Sequence, residues 1–285
     1  MEAELWREVY RMLTEIARGQ GPRRATFDDA DIGGTYLWAV VHDRPVCWAC
    51  RPRSWPIWWR RRRLPTPSTM SRRLRTESVQ RLLRDVERGL LNRMPASCVR
   101  WIDAKPLPIG GSSQDGDAGY GRAAGCMAKG YKLHAIADRN QGFVTWTVRP
   151  MNVNAQKVAP ELIAQLEDEG YLAGDGEYDG NALYDAAADR GVQLLAPRRR
   201  ATRLGHKRHS PHRLRAVDLL SREFGVDLLR TRDAIDRMFG QLTNLGWGLK
   251  PLPNWVRTQL RVTLWVQGKM IFYHTYRLLK QKEVA

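Results

Sequence analysis

Residues 170–200 read GYLAGDGEYDGNALYDAAADRGVQLLAPRRR. Tyr171, Leu172 and Ala173 form a short apolar run that leads to Asp175, which Gly174 and Gly176 flank. Over residues 181–190 the pattern turns helical, with Leu183, Ala186 and Ala187 on one face. Gly191 is placed to close that helix as a C-cap. A second apolar run, 192–196, stops at Pro197. Strand, helix, strand at this spacing predicts a parallel crossover. In open α/β sheets the chemistry sits beyond the carboxyl ends of the strands, and Asp175 stands at such an end. A carboxylate there is costly unless paired or coordinated. Its ordinary structural role would be to cap the following helix.

Working outward, residues 98–102 form another apolar run, and it carries Asp103 before Pro106. Residues 131–137 and 143–148 alternate as strands around a turn at 138–142. Residues 155–169 follow as a helix. Residues 230–245 read as one amphipathic helix, with Ala234, Ile235, Met238, Phe239, Leu242 and Leu245 on its apolar face. Arg232, Asp236 and Thr243 run beside that face, with Gly240 among them where a ligand or backbone would approach closely. Residues 254–280 make a last long helix. Between the first strand and the hairpin, residues 110–130 hold Gly110, Gly111, Gly116, Gly119, Gly121, Gly125 and Gly130. They lack the ending of a phosphate loop and read as a mobile loop near the site.

The N-terminal third is different in character. Residues 2–18 and 28–41 predict helices. Residues 51–75 hold nine Arg, no acid, and Trp55, Trp58 and Trp59 interleaved. Within them, residues 64–74 have the shape of a turn leading into a helix, with Thr66 or Ser68 as N-cap. A helix opening on Ser, Thr and Arg suits the major groove in the helix-turn-helix manner. Most charge runs are solvated faces, but Arg with interleaved aromatics serves both phosphate attraction and stacking. A second basic island, 198–215, carries eight Lys/Arg with His206, His209 and His212 and reads as a DNA-facing loop. The formal net charge of +17 points to a polyanion, with a membrane surface the weaker partner. No apolar run reaches the roughly 20 residues of a spanning helix, and the acidic start MEAELWREVY is unlike a secretory signal. Four Cys are too few for a disulfide framework, which fits a reducing cytoplasm. The one CxxC, Cys47-Trp48-Ala49-Cys50, lacks a matching second pair for zinc and reads as small residues in a helical core.

The element order is strand, two-stranded hairpin, helix, strand, helix, strand, helix, the order of an RNase H-like core. Three acids fall at its key positions: Asp103, Asp175 and Asp236, separated by 72 (175−103) and 61 (236−175) residues, with no room for a large inserted domain. The chain resembles the DDE transposases of bacterial insertion sequences. The resemblance rests on Ile102-Asp103, on Gly130-Tyr-Lys-Leu-His134 and on Asp175-Gly-Glu-Tyr-Asp179. It rests also on Leu195-Ala-Pro-Arg198 and on Arg232-Asp-Ala-Ile-Asp-Arg-Met-Phe239. The N-terminal YLWAVVHDRP and PSTMSRRLR segments look like that family's DNA-binding region.

The resemblance implies an α/β fold, an RNase H-like mixed sheet flanked by helices. It places an all-α, helix-turn-helix-like region at residues 1–95 and the catalytic domain at 96–285. It implies that Asp103, Asp175 and Asp236 are catalytic and hold two Mg²⁺ about 4 Å apart, with Mn²⁺ as a substitute. Asp103 would bridge both ions. Water would free a 3′-hydroxyl at a transposon end, and that hydroxyl would attack target DNA. Arg232 would hold a phosphate. DNA contacts are expected from Arg60, Arg61, Arg62, Arg63, Ser71, Arg72, Arg73, Lys132, Arg198, Arg199 and Arg200. The implied partners are terminal-repeat and target DNA and a second copy in the DNA complex, with no membrane, in the cytoplasm at the bacterial nucleoid. In that family the helix acid is usually Glu, followed seven residues on by Lys or Arg. Here those positions are Asp236 and Thr243, and Arg230 stands where Tyr is common. Asp is one methylene shorter, about 1 Å of reach, and such misplacement costs of order a hundredfold in rate. The alternatives are a nuclease that cuts without joining, and a decayed or repurposed transposase that only binds DNA.

Overall fold

The computed structural model describes all residues except 1, 20–25, 60–62, 124, 199–208 and 285, and all their side chains except those of Trp58 and Val284. Arg60, Arg61, Arg62, Arg199, Arg200 and His206 therefore lie outside the described residues. In chain order the elements begin with α1 (Glu2–Gly19), α2 (Asp29–Val41), α3 (Val46–Ala49), α4 (Pro67–Arg73) and α5 (Glu77–Leu91). The strands β1 (Val99–Pro108), β2 (Gly119–Ala123), β3 (Cys126–Asp138) and β4 (Gly142–Pro150) come next. After them come α6 (Ala155–Ile163), β5 (Gly170–Ala173), α7 (Asn181–Ala188), β6 (Val192–Leu195) and α8 (Pro211–Leu220). The chain ends with α9 (Glu223–Arg230), α10 (Asp233–Asn244) and α11 (Gln259–Val284). By compactness it divides into two units, Met1–Met94 with Leu242–Ala285, and Pro95–Gln241.

In the first unit, α2 is apolar on nearly every side and is buried from Ile32 to Val41, as a helix without a polar face must be. Asp28 starts it with a reciprocal capping box to Asp31. Thr66 caps α4 by accepting from the Thr69 amide. Two aromatics of the Arg-rich stretch, Trp55 and Trp59, correct the expectation that they stack on DNA. Trp55 is buried and stacks on Trp38 at 4.8 Å, and Trp59 meets Tyr10 edge-on at 5.0 Å. They are core, because a one-sided helical unit of this size closes on large apolar rings. Cys47 is exposed and Cys50 half-buried on the single turn of α3, so this CxxC is not the helical core expected of it. At the centre of the unit the buried Lys269 ammonium donates to Val40 O (2.8 Å), Trp247 O (2.9 Å) and Asp43 Oδ1 (2.5 Å).

In the second unit, six strands form one mixed sheet in the order β2-β3-β1-β5-β6, with β4 also paired to β3. β1 runs antiparallel to β3 and parallel to β5, and β5 runs parallel to β6. The crossover from β5 through α7 to β6 is the one expected, and Gly191 closes α7 at φ 68°. One face of the sheet packs on α6 and α7 through Ile102, Ile136, Leu162, Leu172, Leu183 and Leu194.

Three expectations change. The glycine-rich stretch is not a loop throughout: β2 and the first part of β3 build a ribbon from it, with Tyr120 opposite Lys129 and Arg122 opposite Met127. The helix expected to 169 ends at Ile163, and Leu166 is buried beyond it. The helix expected over 230–245 is broken at Thr231–Arg232, where Thr231 Oγ1 donates to Leu228 O and takes the Trp101 Nε1–H at 2.8 Å. Local hydrogen bonding by Thr competes with helix continuation, and here a sheet residue completes the exchange.

Candidate active site

Asp103 and Asp175 come from neighbouring parallel strands. The register pairs Trp101 with Ala173, and each acid lies two residues beyond its member of that pair, so Asp103 inside β1 and Asp175 just past the end of β5 stand side by side. Asp175 follows β5 directly and caps the short turn Gly176–Tyr178 by accepting from the Glu177 amide at 2.8 Å. Asp175 thus caps this turn and not α7, whose N-cap is Gly180 with no side-chain bond. Gly174 is required by packing, since a Cβ there would press on the Tyr178 ring and Ile102. Asp236 sits on α10, next in sequence to buried Ile235 and three residues before Phe239, which stacks on Phe143 at 5.1 Å.

Burial pushes the Asp103 carboxyl up to about 6 from 3.8, against the pull of the Ala104 amide, which donates to Oδ1 at 2.7 Å. The charges of Asp236 and Asp175 push in the same direction as burial, and Arg232 opposes them. Three carboxylates from three separate elements therefore share one field. The Arg232 guanidinium lies between two of them, 3.7 Å from Asp103 and 3.9 Å from Asp236, and also 3.8 Å from the more exposed Asp233. The helix break at Thr231–Arg232 gives the guanidinium this position. Tyr178 is buried beside the same acids, and burial followed by the charges of Asp103 and Asp175 holds its hydroxyl protonated.

The donors suit a hard divalent cation, which takes carboxylate oxygens and keeps waters of its own. A carboxylate held above its ordinary range first by burial and then by like charges favours an added cation. Among the described residues, however, no three His, Cys, Asp or Glu side chains stand close enough to form a ready-made cage. Asp236 is largely exposed, and Arg232 supplies the positive charge.

The loop after Asp175 is held by a pair that the sequence did not announce. Asp179 is almost fully buried and receives Arg213 Nε at 2.7 Å and Nη2 at 2.8 Å. His209 Nδ1 contacts the same guanidinium at 2.8 Å. Most of the second basic island, residues 199–208, lies outside the described residues; at its described end these two side chains are engaged structurally. His209 and Arg213 look inward, toward Asp179.

The expected DNA contacts are scattered. Arg63, Ser71 and Arg72 are exposed in the first unit. Arg73 of that unit is engaged by Asp29 at 2.5 Å and by Phe27 O at 2.9 Å. In the second unit Lys132 is half-buried, on the side of β3 that faces away from Asp103, and Arg198 is exposed. Gly240 has open space where its Cβ would be among the described residues, so no backbone packs against it. No helix among the described residues is long and apolar enough to cross a membrane.

A family model described as "Transposase DDE domain" matches residues 95–266, more than half of the chain. Neither the curated proteins nor the solved structures gave a match.

Proposed function

Since the chain belongs to the transposase DDE-domain family, we propose that it cuts DNA at the ends of a mobile element and joins them to target DNA. In this reading Asp103, Asp175 and Asp236 hold two Mg²⁺, with Mn²⁺ able to replace them. When bound, such ions activate an attacking oxygen and stabilise a leaving one. The observation that carries the reading is the convergence of the three acids and Arg232, where Asp103 inside β1 meets Asp175 just beyond β5.

The chain's own groups then divide the work. Asp103 is the most buried of the three and keeps a proton to higher pH than an ordinary carboxyl, so it offers its charge fully only above about 6. Asp175 is oriented by the Glu177 amide and by the turn that Arg213 anchors through Asp179. Arg232 balances the acids and receives a DNA phosphate, which takes a fork of N–H donors well. Arg63, Ser71 and Arg72 contact the duplex near α4, two chains pair the two ends, and the protein works on the bacterial nucleoid.

The absence of a ready-made cage among the described residues favours the second reading, a chain that only binds DNA. One experiment separates the readings. A duplex carrying the element's own end is incubated with labelled target plasmid and Mg²⁺ or Mn²⁺. Covalent joining by the native chain and none by Asp175→Asn supports the transposase. Cutting without joining indicates a nuclease, and binding without cutting leaves the second reading.

A further inference from the structure

The ribbon of β2 and the start of β3 has two unlike faces. Its inward face is small: Gly119, Gly121, Ala123, Cys126, Ala128 and Gly130. A Cβ on Gly119 would collide with Asn152 Oδ1, and one on Gly121 would lie 2.6 Å from Met151 O. The glycines are there because the ribbon is clamped onto the chain that leaves β4. Its other face carries Tyr120 and Met127, 58% and 65% exposed, with Arg122 and Lys129 beside them. Lys129 Nζ donates to Ser113 O at 2.8 Å, which fixes one cation in place.

The register says where this face looks. Opposed residues in an antiparallel pair point to one side, and alternate residues along a strand share it. Asp103 opposes Ala135, and Lys129 and Met127 lie six and eight residues before Ala135 on the unbroken ladder of β3 with β1 and β2. Tyr120 and Arg122 oppose Lys129 and Met127. All four therefore lie on the Asp103 side of the sheet. At about 3.4 Å per residue they stand roughly 20–27 Å along it.

On the reading of the function above, the geometry points to this ribbon as a second DNA-contacting surface, lying about 6–8 base pairs from the phosphate at Asp103, at roughly 3.4 Å per base pair. Arg122 and Lys129 meet backbone phosphates, and Tyr120 and Met127 rest on sugar or base. A second copy of the chain is the other occupant for an exposed apolar and basic face, but two such faces on chains of net charge +17 repel.

The test uses the full chain and a fluorescent duplex carrying the element's end. Arg122→Ala should weaken binding severalfold and lower the salt slope of log K by about one. Tyr120→Ala should weaken it about thirtyfold, the middle of the range for one aromatic contact. These side chains are exposed, and melting curves check that the variants fold. A benzophenone at position 127 should cross-link to DNA 6–8 base pairs from the Mn²⁺-dependent nick. Unchanged affinity and slope in both variants, adducts beside the nick, or adducts only to a second copy would overturn the proposal. If the native chain itself binds no DNA, the reading of the function falls with it. If the native chain binds and the variants match it, only the ribbon falls.

Discussion

Replacing Asp103 by Asn should stabilise the protein while disabling it. The carboxyl titrates at about 6 in the fold against 3.8 as its ordinary value. The folded state therefore holds the proton more tightly than the unfolded chain. The stability this group contributes is fully present below 3.8 and is lost as pH rises through 6. The difference between 3.8 and about 6, at about 1.4 kcal/mol per tenfold in proton affinity, makes the ionised group cost up to about 3 kcal/mol at pH 7.5. Asn keeps the shape and accepts from the Ala104 amide but carries no charge. The variant should melt roughly 6 °C higher at pH 7.5 without divalent ions, at about 2 °C per kcal/mol. The gain should shrink toward pH 4, and DNA cleavage should vanish at every pH. Differential scanning calorimetry across pH 4–8 reads the first effect and a nicking assay the second. A variant that melts lower at pH 7.5, or a gain that does not change with pH, would refute the argument that burial and like charge set this carboxyl.

Arg213→Ala removes both guanidinium donors from the buried Asp179 carboxylate, so it should cost about 3–5 kcal/mol and lower cleavage by loosening the turn behind Asp175. Arg213→Lys should recover only part, because a single ammonium cannot replace the two-pronged contact; thermal melts and nicking rates read both. Lys269→Met removes the donor from Asp43, Val40 O and Trp247 O and should also cost about 3–5 kcal/mol by urea unfolding, with no effect on the ribbon cross-link. Gly121→Ala forces Met151 or the ribbon to shift and should destabilise by about 1–3 kcal/mol, seen as faster amide exchange in residues 119–130.

The catalytic half was legible where local pattern and topology coincide. Leu172-Ala173 and the 192–195 run are short, apolar and bracketed by glycine or proline, so β5 and β6 could be placed, and with them Asp175. Asp103 followed from an acid inside a strand, and its partnership with Asp175 from parallel strand order. The rest depended on contacts distant in sequence. Trp55 and Trp59 look the same among arginines whether they face DNA or pack on Trp38 and Tyr10. The Asp179–Arg213 pair spans 34 residues and no local periodicity marks it. The ribbon was hidden by its glycines, which read as loop until Met151 and Asn152 are seen against them. The break before Asp233 was hidden because 230–245 keeps helical period throughout, and only Trp101 reaching Thr231 reveals it.

Asp236 is proposed to complete a site with Asp103 and Asp175 despite its shorter reach. This is tested by 3′-end nicking of the element's end with Mg²⁺ and with Mn²⁺ by the native chain, Asp236→Ala and Asp236→Glu. Cleavage is expected from the native chain, none from Asp236→Ala, and retained or faster cleavage from Asp236→Glu. Undiminished cleavage by Asp236→Ala, or DNA binding without cleavage by all three, would contradict it.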